Sequence, residues 1–139
     1  TVQTPVRFSS LQYVSTKPIT SVRAGEMDEI SVELDNYILV STDSLPLDSK
    51  NREKLAEVVA RDPLALVEYW SIDPDYDGQT FRSVWQDYRE NEENDSDPLH
   101  VITRARIQAP HKPVRKVAVR AIDVFGQESE VVMEVRTNG

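Results

Sequence analysis

The chain contains no cysteine, which excludes disulfide staples and thiolate-held metals and leaves redox compartment unreadable. It has only four glycines, Gly25, Gly78, Gly126 and Gly139, and no two are close together. That removes the glycine-rich loops that cradle phosphates or dinucleotides. Long apolar runs are missing as well. None approaches the ~18 residues of a membrane span, and no signal-peptide pattern opens the chain. Histidine is scarce: His100 and His111 are the only two, and neither has metal-ligand spacing to an Asp or Glu. The serines carry no G-x-S-x-G elbow or comparable nucleophile motif. No residue is therefore assigned a catalytic role. The first residue is Thr1, which suggests a piece cut from a larger protein, and the 139 residues read as one domain, 1–139, without linker or repeat.

What is present is strand signal. Residues 27–40 alternate, with Ile30, Val32 and Leu34 on one face and Ser31, Glu33 and Asp35 on the other. Segments 66–72 and 80–89 are aromatic-rich. Segment 99–107 alternates Leu99, Val101, Thr103, Ala105 and Ile107 against His100, Arg104 and Arg106. Val117, Val119 and Ala121 oppose Lys116 and Arg120, and 130–136 supplies Val131, Met133 and Val135. Segment 11–16 is a weaker first strand. Between the last two strands, 123–127 reads as a hairpin loop with Gly126 free to take positive φ. Segment 49–61 differs: a Ser49 cap, good helix formers, and Leu55, Val58 and Val59 on one face predict an α-helix stopped by Asp62-Pro63. Pro110 and Pro113 bracket His111-Lys112 in a loop that cannot be central strand. The predicted fold is mostly β, an antiparallel immunoglobulin/PKD-like β-sandwich with one inserted helix over 49–61.

The charge is uneven. The chain carries −8 overall, yet residues 99–122 hold no acidic side chain and six basic ones: Arg104, Arg106, Lys112, Arg115, Lys116 and Arg120. That segment is +6 and the remainder −14. The acidic run 90–97 precedes it directly. One reading is a solvated loop followed by strands with cationic outer faces. The other is a nucleic-acid-binding strip made by those six residues. Strand alternation would place Arg104 with Arg106, and Lys116 with Arg120, on one face, contacting phosphates of the DNA backbone.

The stretch 70–81, WSIDPDYDGQTF, admits three readings. Asp73-Pro74-Asp75-Tyr76 is one residue from the D-P-P-Y tetrapeptide that holds a flipped adenine in N6 methyltransferases. Asp75 puts a charge where that pocket must be dry, and no cofactor loop accompanies it. Asp73, Asp75, Asp77 and Gly78 also match the D-x-D-x-D-G opening of a calcium loop. Position 12 of such a loop should be Glu and is Val84, so the three aspartates are weak metal candidates. The third reading is a turn in which Asp side chains cap amides and Gly78 takes the left-handed position. The turn accounts for most of the residues.

Glu68-Tyr69-Trp70, Asp73-Pro74-Asp75-Tyr76-Asp77-Gly78, Thr80-Phe81 and Trp85-Gln86-Asp87-Tyr88-Arg89 form a distinctive block, followed downstream by Val119 to Gly126. This combination resembles the C-terminal, non-catalytic region of large bacterial adenine-specific DNA methyltransferases, over about residues 30–135. Arg82-Ser83 replaces the His-Asn of that group. The closing Val119-to-Gly126 hairpin is also similar to the end of PKD and other immunoglobulin-like modules. The methyltransferase resemblance implies an accessory domain of a cytoplasmic restriction-modification protein, without a cofactor of its own. S-adenosylmethionine is implied for the parent. The implied partners are the rest of that methyltransferase, DNA phosphates, or a restriction or helicase subunit, with no membrane. The PKD resemblance implies an alternative, an extracellular adhesion module that binds calcium through Asp73, Asp75 and Asp77.

Overall fold

Period-two burial organises the chain. A computed structural model describes residues 6–7, 12–39, 61–89, 101–124 and 126–138. It contains strands β1 (Val6–Arg7), β2 (Gln12–Thr16), β3 (Thr20–Ala24), β4 (Met27–Leu39), β5 (Val67–Asp73), β6 (Trp85–Tyr88), β7 (Arg104–Pro110), β8 (Val114–Asp123) and β9 (Glu128–Asn138). In β4, Ile30, Val32 and Leu34 are buried, as the alternation predicts. In β8, Val117, Val119 and Ala121 are buried opposite Lys116 and Arg120. In β4, β7 and β8 alternate side chains point inward, and only a second layer can cover that face.

Two layers result. β4 is the axis of one: β7 pairs along one of its edges, while β3 and β2 follow each other along the opposite edge. The other layer runs β1-β9-β8-β5-β6, all antiparallel. A short parallel pairing of β3 with β9, through Ser21 with Thr137 and Val22 with Asn138, joins the layers into one curled sheet. The structure is thus the mostly-β sandwich expected, mixed at this single junction. Between the layers, Val14, Ile30, Val32, Leu34, Trp70, Ile72, Ile107, Val117, Val119 and Val135 form one apolar core. Trp70, fully buried, meets Trp85 edge to face with centroids 4.6 Å apart. Its indole nitrogen donates to the Ile102 carbonyl at 2.7 Å, and Asp87 accepts from the Ile102 amide at 2.6 Å. Residues 101–103, expected in a strand, are therefore a crossing segment pinned over the tryptophan, and β7 begins at Arg104.

The predicted helix over 49–61 lies, all but its last residue, outside the described residues. So do His100, Phe125 and the acidic run 90–97. Entry to β5 is set by a 3-10 turn, Pro63–Leu66, with proline in its first turn and Leu66 buried. Among the described residues no helix is long and apolar enough to cross a membrane.

Candidate functional site

The aspartate-rich segment is a self-capping turn. Asp73 ends β5, and its carboxylate accepts from the Asp75 amide at 3.0 Å and the Arg82 amide at 2.8 Å. Asp77 Oδ1 accepts from the amides of Gln79 and Thr80, both at 2.8 Å, and Oδ2 meets Arg82 at 3.1 Å. Those two amide bonds and the Arg82 contact hold the Asp77 carboxyl down at about 2. Gly78 sits at φ 92, where a side chain would be strained. Tyr76 packs toward Phe81, with centroids 6.5 Å apart. The carboxylates of Asp73 and Asp77 are thus aimed at their own backbone. Asp75 points elsewhere. Among the described residues no group of three or more His, Asp or Glu is placed to hold a metal ion.

Asp75 belongs to the most concentrated polar cluster described in the molecule. At its centre Asp28 of β4 and Arg115 of β8 meet at 2.5 Å, both side chains wholly buried. Arg115 also donates to Asp75 at 2.9 Å and to the Pro110 carbonyl at 3.0 Å. Asp28 accepts from His111 Nδ1 at 2.8 Å and from the Lys112 amide at 2.9 Å. Lys112 Nζ reaches Asp75 at 3.3 Å. Thr137 Oγ1 lies 3.1 Å from Asp28, 2.7 Å from the Lys112 carbonyl and 2.8 Å from Ser21 Oγ. With one proton, Thr137 donates to Asp28 or to that carbonyl and accepts from Ser21. Burial pushes the Asp28 carboxyl up, but the donors His111, Lys112 amide, Arg115 and Thr137 outweigh it and hold the acid well below the ordinary carboxylate range. Arg115 Nε is buried without a hydrogen bond. The cluster ties both layers, the β7–β8 loop and the aspartate turn to one point.

This geometry divides the six cationic residues expected to form a strip. The strip needs β7 beside β8, yet β7 pairs with β4 while β8 lies between β5 and β9. Arg115, expected on the surface, points inward and is buried. Lys112 is turned to Asp75. Arg120 bonds Glu130, approaches Glu128 at 3.8 Å, and stacks over the Phe81 ring at 4.4 Å. Arg104 meets Glu33 at 2.8 Å, and Arg106 lies 3.9 Å from Glu29. The Arg104 bond first, with Lys17 3.3 Å away, lowers the Glu33 carboxyl. Lys116 is exposed on the outer face of β8. The structure therefore brings Arg104 together with Arg106 and separates both from Lys112, Arg115, Lys116 and Arg120.

Sequence reasoning missed Asp28, Glu29, Glu33 and Glu130 as the counter-charges. The signal for Asp28 was available. It shares strand parity with Ile30, Val32 and Leu34, as Arg115 shares parity with Val117 and Val119. Opposite charges at inward positions of two strands point to a buried pair.

Neither protein-family models, nor curated proteins, nor solved structures give a match to this chain.

Proposed function

We propose that this chain is a non-catalytic accessory domain of an adenine-specific DNA methyltransferase or an associated restriction-modification protein, and that it docks a protein partner. The observation that supports this reading is where the residues that resemble that group lie in the fold. Trp70 and Trp85 pack in or against the core, Asp73 and Asp77 cap the turn, and Asp87 pins residue 102. Such a block supports a shared scaffold. In Asp73-Pro74-Asp75-Tyr76 each Asp73 oxygen accepts a backbone amide and Asp75 is held by Arg115 and Lys112, so neither carboxylate is turned outward to a base.

Between the two roles open to an accessory domain, DNA positioning and partner docking, the ion pairs favour docking. Lys112, Arg115 and Arg120 are each turned to a carboxylate within 3.3 Å, and β7 does not pair with β8, so no continuous cationic strip faces a phosphate backbone. Calcium binding by an adhesion module draws less support, since Asp73 and Asp77 are turned to their own backbone.

Methyl transfer tests the catalytic side. This chain, incubated with labelled S-adenosylmethionine and duplex DNA, should transfer nothing, and transfer above background would overturn the assignment. The open reading frame tests the family side. It should encode a D-P-P-Y motif with a glycine-rich cofactor loop, or helicase motifs, elsewhere in the protein. A frame with neither removes the restriction-modification context.

A further inference from the structure

The two outer faces of the sandwich are finished differently. Over β5 and β8, Ser71, Asp73 and Ala118 are buried although they point away from the core. Residues 74–84 fold back over them, with the Arg82 amide on Asp73 and Phe81 against Arg120. No comparable cover lies over β3, β4 and β7 among the described residues. The register places side chains there in rows: Ala24–Met27–Pro110, Val22–Glu29–Gln108, Thr20–Ser31–Arg106 and Glu33–Arg104. Residues directly opposite in a ladder share a face. All of these lie opposite to the inward set Asp28, Ile30 and Val32.

The first two rows gather Val22, Ala24, Met27 and Pro110 at one end, all exposed, with Val22 at 51% and Met27 at 37%. The next two carry Arg104 and Arg106, whose side chains are 79% and 81% exposed. Each guanidinium approaches its carboxylate through Nε. Its two terminal nitrogens donate no hydrogen bond among the described residues, and that end is the fork that takes a carboxylate in two parallel bonds. An apolar patch beside arginines, with Met and Arg prominent, is the composition of a protein interface.

We propose that this face binds an extended acidic segment of a partner protein. Its apolar side chains would lie over Val22, Met27 and Pro110, and carboxylates further along would engage Arg106 and Arg104. Arg106 stands four positions before Pro110 along β7, about 13 Å at the usual rise, so the first carboxylate falls about four residues from the apolar anchor. Nucleic acid fits less well, because the apolar rows beside the arginines offer a phosphate backbone nothing. This inference rests on the docking reading above and names its surface and partner chemistry.

Two labelled peptides test it, one of pattern Leu-x-Leu-x-Glu-x-Glu and one with Lys for both Glu. Each is titrated against the chain by anisotropy, with amide shifts mapping the contact. The Glu peptide should saturate and the Lys peptide should not. Arg104→Ala with Arg106→Ala should weaken the Glu peptide about tenfold, the loss of two solvent-exposed ion pairs. Met27→Ser should act in the same direction, and Arg120→Ala should leave binding unchanged. The substituted side chains of Arg104, Arg106 and Met27 lie on the surface and leave the core intact, which melting curves check. No binding, equal binding of both peptides, insensitivity to the Arg104/Arg106 changes, or shifts on another face overturns this surface. Duplex DNA that shifts the same amides would sink the docking reading itself, a separate outcome.

Discussion

At the scale of single residues, the Asp28–Arg115 pair decides the most. A buried ion pair contributes little against a well-packed apolar substitute, but removing one partner strands the other in a dry interior. Arg115→Met should therefore lower unfolding free energy by about 3–5 kcal/mol, read as a shift in denaturant midpoint. A loss below 1 kcal/mol would mean water reaches the cluster. The same cluster sets the acid limb of stability. Asp28 and Asp77 both titrate below their ordinary 3.8 when folded, Asp77 at about 2. A depressed folded value means stability that is complete above the unfolded value and lost as pH falls through the folded one. Melting temperature should hold down to about pH 4 and then fall continuously through pH 2. Asp28→Asn should melt lower at neutral pH and show a shallower acid limb, and an unchanged limb would remove Asp28 as its cause. Both members of this pair sat at inward parity in the sequence, so the pair was legible in principle. What hid Arg115 was its company: among six clustered cations, net charge suggested a surface.

At the scale of elements, alternation made β4, β8 and β9 readable, because each buries one face for most of its length. Segment 99–107 was less readable. Val101 and Ala105 are both buried, but the first is held by a crossing segment and the second by β7, a difference that period two cannot express. β3 went unread because its burial is almost absent; only Ser21 is buried, so no apolar stripe marks it. The turn after β5 was legible from its residue types, since Asp, Gly and Pro each impose a known backbone preference. That turn gives a prediction at its own scale. Gly78→Ala meets open space, with nothing within 4 Å of the added carbon. Its cost is conformational alone and should be about 1–2 kcal/mol. A neutral result in thermal melts would mean the turn can relax to negative φ without loss.

At the scale of the whole molecule, strand topology sets how the charge is distributed. Composition shows a +6 segment, and only the pairing of strands reveals that its halves enter different layers. Long-range pairing of this kind depends on contacts far apart in the chain, such as Arg115 with Asp28, which no local window contains. Strand pairing divides this segment between the two layers, so its cations form no continuous strip. Titration of labelled duplex DNA with the chain at low salt is the decisive measurement, because phosphate contacts are strongest there. A divided set of cations should give no saturable binding. Saturable binding that falls steeply with added salt, and is lost when Arg104, Arg106, Lys116 and Arg120 become alanine, would contradict it.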